Sequence, residues 1–271
     1  MKKQTIHLIS TIFILTIPDP SMAGIAINTI DGQNLLLYDH SYALVVGNSN
    51  YQYFDKLPGA AKDARDVAQA LERKGFSVEL AMNITRNQFE RMFTNFALNR
   101  GKPENTRMLF YYAGHGATLP MAGDEIMGYL VMVDTPKPDK DPAGFVNSTI
   151  DMQYMVLKCK MMKARHVLYM FDSCFSGTIM NFRSELKPDK ISHLVKYPVR
   201  QFITAGRANE EVPDRSFFKQ VFLDLIEGRV DEPFKDGYIT GEELGYYLKL
   251  QVPYYFKYQH PQFGLHANQG F

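Results

Sequence analysis

Four short apolar runs, separated by stretches of helical period, constrain this chain most. They are Tyr42–Gly47, Ser77–Met82, Met108–Ala113 and Val167–Phe171. Each is too short for a helix of ordinary length and is bounded by glycine or polar residues, which is the signature of a buried strand. Between the first two, Ala60, Ala64, Val67, Ala68 and Leu71 recur at helical spacing from Ala60 to Lys74, and Gly75 stops the helix. Thr85 and Gln88 have capping-box spacing ahead of Phe89, Met92, Phe93 and Phe96, and that helix should end by Gly101 and Pro103. A further strand is expected at Gly128–Val133 beside a hairpin, an exposed loop at Pro136–Gly144, and a helix near Thr149–Lys160. Later come a strand at Gln201–Ala205, a helix at Phe217–Ile226, and a helix opened by Thr240 with Glu243 in capping-box register. Strands alternating with helices predict an α/β fold, a mostly parallel central sheet covered by helices on both faces.

Composition narrows the function. Hydrophobic residues make up 45% and charged residues 22% of 271 residues, which fits a compact chain and neither disorder nor a multi-span membrane protein. The net charge of +1 removes the basic field of a nucleic-acid binder or a membrane-surface protein. Two cysteines, Cys159 and Cys174, are too few for a disulfide framework and show no zinc spacing.

The N-terminus reads as an export signal: Met1-Lys2-Lys3, an apolar stretch from Ile6 to Ile17 too short to span a bilayer, and Ser21-Met22-Ala23 ahead of a cleavage site. An uncleaved anchor or a buried strand is the alternative. Cleavage predicts a signal at 1–23, a periplasmic or extracellular mature chain with no stable membrane association, an N-terminal extension at 24–41 and one domain at 42–271. An oxidising compartment leaves a Cys159–Cys174 disulfide as a competing reading to a free reactive thiol.

In an open parallel sheet, ligands bind beyond the carboxyl ends of the strands. His115, between Gly114 and Gly116, follows one strand; Cys174, after Asp172-Ser173, follows another. A thiolate is a nucleophile for acyl transfer, and an imidazole in reach takes its proton and returns it to the leaving amine. Backbone N–H groups at Gly116 and Cys174 are candidates to hold the oxyanion. Cys159, on an apolar helix face, reads as core.

Tyr112-Ala113-Gly114-His115-Gly116 followed by Asp172-Ser173-Cys174-Phe175-Ser176-Gly177 resembles the His and Cys motifs of the caspase-like cysteine peptidases, in particular the metacaspase and prokaryotic orthocaspase branch. Leu44–Tyr51, Leu57–Ala64, Gly128–Asp134, Ile203–Arg207 and Asp236–Leu244 extend the resemblance from about Tyr42 to about Gly264. It implies a caspase-haemoglobinase fold with a p20-like part at 42–180, a linker loop at 181–197 and a p10-like part at 198–271. It also implies endopeptidase activity with His115 as general base and acid, Cys174 as nucleophile, and no metal in the chemistry. True caspases carry Gln two residues before the nucleophile, where this chain has Asp172. In metacaspases that Asp and one matching Asp63 line the pocket for a basic P1 residue, so the resemblance implies protein or peptide substrates cut after Arg or Lys. Asp63 has a second reading, as a first-turn acid favourable to its helix dipole.

Other features carry less. Asp236-Gly237 with Glu243 has the second half of an EF-hand loop, but Glu232 and Phe234 fall where early oxygen ligands are needed, so a turn and helix cap is the better account. Calcium activation stays open, with Asp124, Glu125 and Asp134 as candidates. Arg183, Lys187, Lys190 and Lys196 mark either a self-processing loop or a solvated one. The strand at Gln201–Ala205 is a candidate edge for substrate backbone, and Tyr254, Tyr255, Phe256, Tyr258 and Phe263 either pack as core or a closing strand or form a binding surface. The rival functions are a non-catalytic binding or regulatory protein on the same fold, and a secreted effector peptidase acting on host proteins.

Overall fold

The structure, a computed structural model, describes residues 25–28, 34–173, 199–207, 210, 213–231 and 239–267. Cys174, the proposed signal at 1–23, the lysine-rich loop at 181–197 and the Asp236-Gly237 turn lie outside the described residues.

After an antiparallel pair, β1 (Ile25–Asn28) and β2 (Asn34–Tyr38), the chain enters β3 (His40–Gly47), α1 (Pro58–Arg73), β4 (Ser77–Met82) and α2 (Arg86–Asn95). A turn of π-helix, Phe96–Arg100, carries α2 toward Gly101. Then come β5 (Thr106–Ala113), β6 (Gly116–Pro120), β7 (Ile126–Leu130), α3 (Pro142–Ser148), β8 (Ile150–Asp151), α4 (Met152–Met161) and β9 (His166–Asp172). The last elements are β10 (Val199–Thr204), α5 (Phe217–Ile226), α6 (Gly241–Tyr255) and β11 (Gln262–Ala267).

The main sheet has the order β11-β10-β9-β5-β3-β4, parallel throughout except for antiparallel β11. The expected mostly parallel sheet is therefore present, with helices on both faces. The two-residue period of each strand feeds two cores. Leu109, Tyr111 and Ala113 of β5 join Ala43, Val45, Leu168 and Met170 under α1, α5 and α6. Met108, Phe110 and Tyr112 join Leu44, Val46, Tyr169 and Phe171 under α2 and α4, with Cys159 buried among them. Gly47 is small for a reason: a Cβ there would stand 2.5 Å from the Ala64 Cβ, so α1 lies directly against β3.

Three local expectations change. The Pro136–Gly144 loop ends in α3, because Asp141 caps its N-terminus by accepting the Gly144 N–H at 2.8 Å and Pro142 has the right φ for the first turn. The helix expected from Thr149 starts at Met152, since Ile150–Asp151 pairs with β7 and Asp151 caps α4 through the Tyr154 N–H. The strand at Gln201–Ala205 is not an edge: β11, holding Phe263, pairs along all of β10. Both predicted capping boxes, Thr85/Gln88 and Thr240/Glu243, are formed.

Candidate active site

β5 and β9 are parallel neighbours whose register pairs Ala113 with Asp172. His115 lies two positions past the first of these residues, and Cys174 two past the second in the sequence. A small cleft of about 70 Å³ opens at these carboxyl ends. Ala113, Gly114 and His115 line it from β5, and Asp172 and Ser173 from β9. Leu57, Ala60 and Asp63 add one wall from the start of α1, and Pro213, Asp214 and Ser216 another from the segment before α5. Gly116 opens β6 opposite Leu130 and is not part of the described lining.

Two aromatic rings and hydrogen bonds to its backbone and its ring hold His115. Its ring centroid lies 4.6 Å from that of Tyr51 and 5.5 Å from that of Phe54. Its backbone N–H donates to Tyr51 Oη at 2.8 Å, and its own carbonyl accepts from Tyr112 Oη at 2.9 Å. Gly114 is the hinge of this arrangement, because a Cβ there would come within 2.5 Å of Tyr51 Oη and 2.8 Å of Tyr112 Oη. His115 Nε2 lies 2.8 Å from the Asp55 carbonyl oxygen. A carbonyl only accepts, so Nε2 carries the hydrogen and Nδ1 of the neutral ring is left as the acceptor, the form a general base needs. Burial lowers the His115 pKa from its ordinary value, against the opposing pull of the Asp55 carbonyl and of the Asp55 and Asp214 charges, so the ring is neutral near pH 7.

Asp172 is buried at the tip of β9. Burial pushes its pKa up to about 6, opposed by the hydroxyls of Ser216 and Tyr111; Tyr111 Oη donates to Oδ2 at 2.7 Å. Its Oδ1 and the neighbouring Ser173 Oγ are buried without a hydrogen-bond partner among the described residues. Such atoms are expensive unless something completes them.

Asp63 is placed in the same cleft, and the Asp63 charge raises the Asp172 pKa. The dipole reading of Asp63 fails: Pro58 begins α1, so Asp63 lies beyond the first turn, which holds no acid. Its carboxylate instead meets Lys219 of α5, with Nζ to Oδ1 at 2.7 Å, and the same ammonium reaches Asp66 Oδ2 at 2.9 Å. Burial acts to lower the Lys219 pKa, but its hydrogen bonds to the two carboxylates outweigh it, so the amine is held above its ordinary value and is charged.

Sequence reasoning missed Asp55, Tyr51, Tyr111 and Lys219. Asp55 acts through a backbone carbonyl, which no side-chain pattern reveals. Lys219 did leave a signal: a cation in the first turn of a helix opposes the dipole, and here it interrupts the apolar run Phe217-Phe218 to Val221-Phe222. For calcium, no group of three or more His, Cys, Asp or Glu able to hold a metal exists among the described residues.

Comparison with known proteins places these features in a family. The caspase domain family matches residues 40–228. Among solved structures, the Geobacter sulfurreducens protein GSU0716 aligns with a TM-score of 0.59 at 18% identity, over 85% of this chain and 95% of that one. The Drosophila initiator caspase Dronc aligns with a TM-score of 0.55 at 14% identity, over 94% of this chain and 93% of its own. At these identities the two structures show the shared fold alone. No curated protein matches the sequence. With the family match covering well over half of the sequence, the chain belongs to the caspase domain family of cysteine peptidases.

Proposed function

We propose that the chain is an endopeptidase that uses a His115–Cys174 dyad and cuts after Arg or Lys, on the metacaspase and orthocaspase side of its family. The observation that carries the dyad is the Asp55 carbonyl at His115 Nε2, which leaves Nδ1 as a base in a neutral ring at the carboxyl end of β5.

The steps use His115, Cys174 and one water molecule. His115 Nδ1 takes the Cys174 thiol proton, and sulfur attacks the scissile carbonyl carbon, forming a C–S bond. Backbone N–H groups, with Gly116 and Cys174 as the candidates, hold the oxyanion. Collapse breaks the C–N bond as the imidazolium gives its proton to the leaving amine. His115 then takes a proton from water, whose oxygen attacks the thioester, and the thiol leaves with that proton. Ionised, the buried carboxylate of Asp172, whose Oδ1 has no hydrogen-bond partner among the described residues, complements a guanidinium or ammonium, and Asp63 lies in the same cleft. Export through the first 23 residues belongs to the same proposal, and calcium is a candidate activator.

Covalent labelling by an arginyl electrophilic peptide tests the reading. Wild type should label, and Cys174→Ala and His115→Ala should not. A wild-type protein that neither labels nor hydrolyses any peptide, with or without calcium, would instead be a binding or regulatory member of the family. Equal turnover of an Asp-P1 peptide would remove the basic preference.

A further inference from the structure

We propose that Lys219 is the resident counter-ion of Asp63, so that Asp172 rather than Asp63 meets the P1 cation and Lys219 sets how strongly the cleft prefers a charged side chain. The inference rests on the basic-P1 reading above and divides labour within it. Lys219 stands at the third position of α5, where its own N–H caps back to Ser216 Oγ at 2.9 Å. A cation is disfavoured there by the helix dipole and by burial. It is held by Asp63 and Asp66, both on α1, while Lys62 takes a share of Asp66 at 2.6 Å. Asp63 thus reaches the cleft already neutralised from behind. Asp172 is faced by Tyr111 from β5, Ser216 at the start of α5 and Asp63 from α1, and by Lys219 at longer range. Neither hydroxyl cancels its charge, and Oδ1 has no partner among the described residues. His115 and Asp214 are the other titratable groups of the cleft, and the Asp214 carboxylate accepts the Gly59 N–H at 2.9 and 3.1 Å. A bound cation would therefore meet in Asp172 a carboxylate without a cationic partner of its own among the described residues, with the neutral Asp63–Lys219 pair behind it.

The test is binding of benzamidine, a planar amidinium, against neutral benzamide at pH 8, read by titration calorimetry. Wild type should prefer benzamidine, and Asp172→Asn should lose that preference. Lys219→Met keeps the length of the stem and unmasks Asp63, which should raise the preference about tenfold or more. The charge-balanced double variant Asp63→Asn/Lys219→Met should stay within about threefold of wild type, since a neutral pair adds little at a distance. If the single variant does not fold, the double variant, which leaves no unpaired charge between the two positions, decides. A double variant as indifferent as Asp172→Asn, a Lys219→Met preference that does not rise, or a wild type without preference overturns the proposal. A merely structural link between α1 and α5 would move thermal stability and leave the preference alone. Because benzamidine binding needs no turnover, its outcome is separate from peptide hydrolysis, whose failure would overturn the peptidase reading instead.

Discussion

Asp172→Asn should make the protein more stable at neutral and alkaline pH, which is an unusual expectation for a polar residue at the tip of a core strand. The carboxyl has an ordinary pKa of 3.8 and is raised to about 6 by burial in the folded protein. A raised acid binds its proton more tightly folded than unfolded. Between those two values the native state holds more protons, so stability falls as pH rises through the window and the cost is complete above about pH 6. The difference of 2.2 between 6 and 3.8 is about 3 kcal/mol at pH 8. At pH 4.5 most of the native carboxyl is already protonated, and the same linkage leaves about 1 kcal/mol. Asparagine keeps an oxygen for the Tyr111 hydroxyl, now 2.7 Å from Oδ2, and carries no charge to desolvate. Urea unfolding of wild type and Asp172→Asn at pH 8 and pH 4.5 measures the effect. The variant should gain up to about 3 kcal/mol at pH 8 and about 2 kcal/mol less than that at pH 4.5. A stability gap that does not change with pH, or one that widens on acidification, would refute the reasoning. The variant should also lose arginyl peptides as substrates, so stability and function should move in opposite directions.

The other expectations follow from neighbouring geometry. Because burial lowers the His115 pKa and the base must be neutral, kcat/KM should fall only as pH drops through a value below 6.5, and a pH–rate profile losing activity above pH 7 on its acid side would contradict this. Gly114→Ala drives a methyl toward Tyr51 Oη and Tyr112 Oη and should cost about 1–3 kcal/mol together with most of the activity, read by thermal melting and labelling rate. Phe93 is fully buried between Phe89 and Phe110, with centroids at 5.3 and 5.2 Å, so Phe93→Ala should lose about 3–5 kcal/mol in urea unfolding. Thr240→Ala removes the hydroxyl that accepts the Glu243 N–H at 3.1 Å and should cost about 1 kcal/mol, visible as a lower melting temperature.

The elements that sequence reasoning located well are those whose physics is local. Continuous apolar runs at Met108–Ala113 and Val167–Phe171 specify strands buried on both faces, and Thr85/Gln88 and Thr240/Glu243 specify helix starts, because a cap and its partner are three residues apart. What escaped was set at a distance. Residues 24–41 suggested no element, yet β1 and β2 pair there and Tyr38 is fully buried. For Phe263 the closing-strand alternative holds, but the open edge of β10, distant in sequence, is what decides it over a binding surface. In the site, the motif residues His115, Asp172 and Asp63 were legible by type. Their states were not: the tautomer of His115 depends on a carbonyl 60 positions earlier, and the charge balance of Asp63 on a lysine 156 positions later.

How the fold treats buried charge separates the two ends of the sheet. At the amino ends, Arg107 and Arg200 are almost wholly buried and are met by the fold itself. Arg107 donates to Ser41 Oγ and the Lys74 carbonyl and lies over the Phe76 ring, and Arg200 donates to the Met162 carbonyl at 2.7 Å. Those guanidinium groups have been given partners by the backbone and ask nothing of a ligand. At the carboxyl ends, Asp172 keeps one oxygen without a partner among the described residues, beside a histidine whose proton a carbonyl has fixed on one nitrogen. An uncompensated buried carboxylate is a cost that folding alone gives no reason to keep, since asparagine would fill the same space. The same end of the sheet therefore holds, in one cleft, the two groups that the proposed cut after a basic residue would use: an imidazole with its hydrogen fixed on Nε2 and a buried carboxylate without a cationic partner of its own among the described residues.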